Sequence, residues 1–451
     1  MNWRAGPRQL SDFVTSTFVL SILVISSLVI STLVVVAGPS VADASTASGG
    51  GAGCYDQNAQ LTVEEQRLTV PVAAGQPAAG PELVSEAGFS PFVTAFGATL
   101  CHLPNAKAAD AFLVAQGKAL WAMAVARANG TLPIGTLNKY DDRPLYWARL
   151  ELTKDVRQWQ PAFALDNATR ARLVNDLDYA ARGIDSIDFD APSGTKLVMV
   201  SGFDPFELDG GNINRSNPAG AAALQLDGKV FNTSQGRIKV ESVEFPVLWG
   251  AFDNGIVERA YGRALTGPRP LNLMITLSQG YPGEFTIERW AADWRGGEPD
   301  NNNLDESGAI PPAAGWPQPV SQFIQTTLPY QQMVAASTGS YPVIYHQLFC
   351  VWPDPAKPGQ GAEQCANSGD PAPGAAAASG GGGDYLSNES MYRSNRLRIG
   401  LGLTALPGGH VHTPVLNNPA GVLTSPQFES DRQAIVDQTV NIVQAAGEAV
   451  H

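Results

Sequence analysis

The chain has 451 residues, 44% of them hydrophobic, which is enough for two domains or for one large domain with an appendage, and for an ordinary folded core. Its 29 basic residues face 42 acidic ones, a net charge of −13. No basic patch offsets that balance, so a phosphate-backbone partner is disfavoured and no nucleic acid is expected.

Arg4 and Arg8 precede an apolar run over 13–37, followed by the small residues Ser40, Ala42 and Ala44. That is the pattern of an export signal, and the run is also long enough to span a bilayer. Residues 1–44 are therefore expected to be a signal peptide or an N-terminal membrane anchor, placing the remainder outside the cytoplasm. Residues 45–80, Gly/Ser/Ala-rich at both ends, read as linker. Over 81–190 the apolar residues recur at helical spacing, with helices predicted at 107–128, 143–159 and 167–182, the last capped by Asp166 or Asn167. This is an all-helical domain in which no motif reveals a role. Asp141, Asp142, Arg143 and Pro144 read either as a charged binding turn or as a helix start, where acids and proline are favoured.

At Lys196 the pattern changes. Strands predicted at 196–201, 237–245, 271–278 and 341–349 alternate with helices at 217–226, 249–262 and 326–337, and a final helix over 426–450 carries Ile435, Val436, Val440, Ile442 and Val443 on its apolar side. Alternating strands and helices predict a three-layer α/β/α sandwich with a mixed central sheet over 196–451. Surface insertions are expected at about 295–319 and 353–383. The cysteines, Cys54, Cys101, Cys350 and Cys365, match no zinc spacing. Two disulfides allow three pairings, and locality favours Cys54–Cys101 and Cys350–Cys365.

Several positions carry candidate chemistry. Ser387 follows the glycine run 381–383 where a helical pattern begins, so its hydroxyl either caps the helix or acts as a nucleophile whose oxyanion the first free N–H groups stabilise. Glu288 beside Arg289 is either a solvated ion pair or a functional acid. His410 and His412 alternate on a strand and so share one face; a zinc site would need a third ligand that the pattern does not supply, and no metal or cofactor is expected. Phe203 and Phe206, just past a strand, are core or pocket wall.

These positions fall in blocks that together resemble pyroglutamyl peptidase type I, the pyrrolidone-carboxylate peptidases, in the family's order from about residue 196 to the C-terminus. Gly202, Phe203, Asp204, Pro205 and Phe206, then Asn217 and Pro218, resemble its Gly-Phe-[Glu/Asp]-Pro-Phe-Gly … Asn-Pro segment, although Glu207 and Leu208 stand where a glycine would follow. Gln279 with Glu288 and Arg289 resembles its Gln-Ala-Gly … Glu-Arg segment. Gly383, Tyr385, Leu386, Ser387 and Asn388 resemble the nucleophile segment, with serine at the cysteine position, and Gly409 to Pro414 resembles the histidine segment. The resemblance implies a catalytic set of Ser387, His412 and Glu288, with Phe203, Phe206, Gln279, Tyr385 and Asn388 around a lactam substrate. A primary amide at Gln279 suits a lactam, offering both a donor and an acceptor. The run after Glu288 is one residue short of the family's, leaving Arg295 as the nearest counterpart of its arginine.

Two functions follow. One is an exported hydrolase that cleaves an N-terminal pyroglutamyl or related amide from a peptide or small amide substrate, using a hydroxyl in place of an oxidisable thiolate. The other is a silent member of the same fold that binds blocked peptide N-termini or a small amide.

Overall fold

The computed structural model describes residues 53–451, and Gly51–His451 forms one compact unit. The expected leader, 1–44, lies outside the described residues. Among the described residues no helix is long and apolar enough to cross a membrane.

The N-terminal part is helical, as its spacing predicts: α1 (Val63–Gln66), α2 (Ala79–Glu86), α3 (Ser90–Leu100), α4 (Ala106–Ala128), α5 (Arg143–Gln158) and α6 (Asn167–Ala180). Asn105 caps α4 by accepting from the Ala108 N–H at 2.9 Å, and Asp166 caps α6 through Thr169 at 2.7 Å. The described part of the expected linker 45–80 is folded instead. Thr62 and Glu65 close a capping box around α1, and Glu64, Glu65, Arg67 and Leu68 are buried. The Gly- and Ala-rich ends of that stretch hid a polar segment whose buried Glu64, Glu65 and Arg67 bond to Tyr146 and Asn301, to Arg157 and to Asp209. The helical core also takes in Leu208, Ile213 and Leu224 from beyond Lys196, so the two halves share one interior.

The strands are β1 (Lys196–Phe203), β2 (Val230–Thr233), β3 (Gly236–Phe245), β4 (Leu273–Gln279), β5 (Phe285–Glu288), β6 (Trp290–Ala292), β7 (Phe323–Gln325), β8 (Val343–His346), β9 (Phe349–Val351), β10 (Gln364–Ala366), β11 (Ala377–Ser379) and β12 (Gly408–Thr413). The helices between and after them are α7 (Pro218–Leu226), α8 (Trp249–Asp253), α9 (Ile256–Leu265), α10 (Tyr330–Ala335), α11 (Leu386–Gly400) and α12 (Pro426–Ala449). The predicted 249–262 helix breaks at Gly255, which takes a left-handed φ of 75°.

A seven-stranded mixed sheet has the order β2-β3-β1-β4-β12-β5-β8, with β12 and β5 antiparallel and β5 and β8 parallel. Successive residues of β1 pack to different sides: Val198 and Val200 join α7 and α12, whereas Leu197 and Met199 join α9 and the ends of α11. The predicted 341–349 strand divides into β8, at the edge of the large sheet, and β9, the centre of a three-stranded sheet ordered β10-β9-β11. Two strands of that small sheet, β10 and β11, lie within the expected 353–383 insertion. Both expected disulfides form, Cys54–Cys101 with Cα atoms 5.7 Å apart and Cys350–Cys365 at 4.0 Å, the latter directly opposite each other on β9 and β10. Two such bonds are what an oxidising environment maintains.

Candidate active site

Strand register sets the site. Thr276 of β4 pairs with His410 of β12, His410 with Glu288 of β5, and Glu288 with His346 of β8; one step along, Ser278 pairs with His412 and His412 with Thr286. Side chains two apart on a strand share a face, so these polar groups form two rows across four strands on the side that α11 covers.

Glu288 is the centre of the rows and is fully buried. Its Oε1 accepts from His412 Nδ1 at 2.8 Å and from the Thr286 hydroxyl, and its Oε2 lies 2.8 Å from His346 Nδ1. Burial pushes this carboxyl up, but the hydrogen bonds from His346 and His412, with the charge interactions of both rings, outweigh it and hold it down at about 2. An ionised carboxylate only accepts, so the pair with His412 requires Nδ1–H and leaves Nε2 as the basic nitrogen. The solvated-pair reading of Glu288 and Arg289 fails: Arg289 turns away to Gln347, Gly369 and Asp370. His410 does share a face with His412, with ring centroids 4.5 Å apart. Its two ring nitrogens are held by Thr276 at 2.7 Å and Ser278 at 2.8 Å, and burial, with His412 adding to it, pushes its basicity well below that of a free imidazole. His410 is therefore a neutral supporting residue.

The glycine run lies directly on this pair. A Cβ on Gly381 would stand 1.9 Å from Glu288 Oε2, and one on Gly382 would stand 3.1 Å from His412 Cε1 and 3.6 Å from Nε2. Gly383 then takes a φ of 77° to turn the chain into α11. Ser387 is the second residue of α11. It does not cap the helix: its hydroxyl donates to the Gly382 carbonyl at 3.0 Å, and Tyr385, at the N-cap position, makes no side-chain cap. Among the described residues, the N–H groups of Leu386, Ser387 and Asn388 have no hydrogen-bond acceptor, and no hydrogen bond joins Ser387 to His412. Both residues adjoin Gly382.

Ser387 also lines a small cleft together with Phe203, Phe206, Gln279 and Tyr385. Val247, Asn217, Ser278 and Leu386 complete its wall. Phe203 stacks on Phe252, Tyr385 packs edge-on to Trp249 and donates to the Pro299 carbonyl at 2.8 Å, and Gln279 accepts from the Leu416 N–H at 2.9 Å. Two expected cleft residues are elsewhere. Asn388 is buried and binds β6 and its continuation, accepting from the Ala292 N–H at 2.8 Å and donating to the Ala292 and Trp294 carbonyls, each at 3.0 Å. Arg295 pairs with Asp253 at 2.5 Å and lies over the Trp249 ring, a fixed ion pair beneath the start of α11. In both cases the side chain's hydrogen-bonding capacity is taken up by the fold.

His346 was missed. It follows no motif, and its place depends on β8 pairing with β5 across 58 residues of sequence. The periodic strand pattern over 341–349 was the one available signal, and it gave the strand but not its neighbour.

Fold and site together define an α/β protein with a buried Glu–His pair beside a serine at a helix start. The family described as PA0049 N-terminal domain matches residues 43–178, and that described as PA0049, C-terminal domain matches residues 197–320 and 353–417. A protein of Pseudomonas aeruginosa (strain PAO1), described as uncharacterized protein PA0049, is 30% identical over 506 aligned positions that cover 88% of this chain and 91% of that protein. The chain belongs to the PA0049 family.

Proposed function

We propose that the protein is an exported hydrolase similar to the pyroglutamyl peptidases, built on a three-layer α/β/α sandwich and cleaving an N-terminal pyroglutamyl or related amide through Ser387, His412 and Glu288. The observation that carries this reading is the Glu288–His412 pair at 2.8 Å, with His412 Nε2 turned to the same glycine that Ser387 contacts. The distribution of β1 side chains between two helical faces supports the sandwich. The leader pattern and the two disulfides support export.

In the reaction, the acyl carbonyl sits at the start of α11, its ring in the cleft of Phe203, Phe206 and Gln279. The Ser387 hydroxyl leaves the Gly382 carbonyl and attacks, while His412 Nε2 takes its proton. Glu288 holds the ring and stabilises the imidazolium that forms. The unpaired N–H groups at the start of α11 receive the oxyanion. The amine departs with the proton from His412, and water releases the acyl group by the same steps in reverse. A serine hydroxyl is not ionised at neutral pH, so all of its reactivity depends on His412 at the moment of attack.

One observation favours the silent-binder reading: the hydroxyl donates to Gly382 and not to His412. The two readings separate on a chromogenic pyroglutamyl amide. A hydrolase releases the chromophore, and Ser387→Cys in reducing buffer raises the rate. An inert natural protein with an active Ser387→Cys variant would make it a binder; inertness of both would remove the hydrolase reading.

A further inference from the structure

Glu288 has two oxygens and a histidine on each. His412 Nδ1 reaches Oε1 and His346 Nδ1 reaches Oε2, both at 2.8 Å. A positioned acid needs only one imidazole to orient a base, so the second ring requires its own account. The rings differ in access: the His412 side chain is 3% exposed and that of His346 is 23% exposed. His346 stands edge-on to Tyr281, ring centroids 5.0 Å apart, and Tyr281 stands edge-on to His412 at 6.0 Å. Thus one carboxylate and one phenol ring connect a buried histidine to one that solvent reaches.

We infer that His346 is a positioning residue for this site: through Glu288 it fixes the tautomer of His412 and makes the base strength of the site respond to a proton taken up at a solvent-reachable ring. The inference rests on the hydrolase reading for its effect on turnover, but the coupling between the rings is measurable without turnover.

The physical case has two parts. First, the carboxylate of Glu288 points at His412 only while its other oxygen is held. The Thr286 hydroxyl shares Oε1 with His412, Gly381 closes on Oε2 without donating to it, and His346 is the donor that fixes Oε2. Second, the groups facing His346 are predominantly acidic. They are Glu288 on β5, Glu284 in the turn before it, the Tyr281 phenol and the Gly381 backbone; the neighbouring Arg289 is turned to Gln347 and Asp370. The hydrogen bond to Glu288 raises the basicity of His346, and partial burial only reduces that effect. When His346 is charged, Glu288 is shared between two cations, and less of its charge is left to stabilise an imidazolium at His412.

The test uses the whole chain with ¹⁵N-labelled histidine, practicable because the sequence holds only five histidines. Ring-nitrogen shifts followed against pH report tautomer and protonation for each. In the natural protein, His412 should show Nδ1–H bonded to Glu288, and His346 should titrate above a free imidazole. His346→Gln keeps a donor and removes the charge, and should move the His412 titration to higher pH. His346→Ala removes both, and should give His412 a mixture of tautomers. Glu288→Gln provides an arm that leaves His346 in place: the His346 titration should then fall back. On a pyroglutamyl amide, His346→Ala should lower kcat about tenfold or more with KM unchanged, the effect of one charge-assisted hydrogen bond acting through the base, and His346→Gln should recover most of that loss above neutral pH. An unchanged His412 tautomer and titration in both His346 variants, or an unchanged His346 titration in Glu288→Gln, overturns the inference. A natural protein inert toward the amide removes the hydrolase reading, and the titrations alone then decide the coupling.

Discussion

Two regions of buried charge in the molecule are built to opposite ends. At the sheet, Glu288 is paired on both oxygens, yet the ring it orients keeps a basic nitrogen free of any hydrogen bond among the described residues. At the junction of the helical half with the sheet, Asp204 Oδ2 accepts from Arg149 at 2.7 Å and Arg182 at 2.8 Å, and Asp178 bridges the same two arginines. A second junction group joins Asp141 to Arg143 at 2.5 Å and to Arg432 at 3.0 Å. All of these except the partly exposed Asp178 are sealed, and each of these charges has a partner of opposite sign. A cavity adjoins the first group and is larger than the cleft at Ser387, but Arg149, Arg182, Arg157, Glu65 and Asp178 on its wall are already paired. Charge burial alone does not mark a site. What distinguishes the sheet cluster is a ring nitrogen of His412 left without a partner among the described residues, the position that the proposed reaction uses.

Substitution should pull the two clusters apart. The largest expected effect is on turnover: Ser387→Ala removes the attacking group and should cut hydrolysis of a pyroglutamyl amide by about a thousandfold or more, with the denaturant midpoint unchanged, since a half-buried hydroxyl bonded to one carbonyl contributes little to stability. Arg149→Leu should do the reverse. It leaves Asp204 with one partner and should destabilise the fold by about 3 kcal/mol in chemical denaturation, with turnover per folded molecule unchanged. A large loss of stability in the first, or of specific activity in the second, would mean that the clusters are not separable.

The same contrast explains what the sequence could tell. The sheet cluster was legible because its members sit in short blocks at strand ends: Gln279, Glu288, Ser387 and His412 lie where the strand and helix patterns change. Asn388 and Arg295 were misread for a related reason. The family resemblance gives a residue's position along the chain, but the direction of its side chain depends on β6 and α8, which pattern alone does not place beside α11. His346 depends on a strand pairing across 58 residues and is invisible without the fold. The junction was illegible in kind. Asp142 before Pro144 read as part of a charged binding turn or as a helix-start acid, yet its backbone is already helical and its side chain makes no cap. It accepts instead from the Ser216 hydroxyl and the Asn217 N–H, residues 74 and 75 positions away. Twelve of the sixteen residues of α5 are buried, Arg143 and Arg149 among them, so its amphipathic pattern describes a surface that the fold then largely covers.

The smallest expected effect sharpens the comparison through pH, because the clusters respond with opposite sign. Glu288 is held down at about 2 against an ordinary 4.5, so its contribution is present above pH 4.5 and is lost as pH falls toward 2. Glu64 at the junction goes the other way. It accepts from the Tyr146 hydroxyl and the Asn301 amide, each at 3.0 Å, but burial first and the Asp204 charge second push it up to about 7, against the weaker pull of Arg149 and Arg182. A carboxyl raised in this way favours the folded state below pH 4.5, and that contribution is lost as pH rises through about 7. Between pH 5 and pH 8 the loss from Glu64 alone should be roughly 2–3 kcal/mol. Glu64→Gln keeps an acceptor for Tyr146 and Asn301 and cannot ionise, so its denaturant midpoint should fall less than that of the natural protein over the same interval. The two proteins should converge near pH 5, where Glu64 is protonated in the fold. Parallel falls in both would show that Glu64 stays ionised in the fold, and that the junction, like the sheet cluster, has balanced all of its charge.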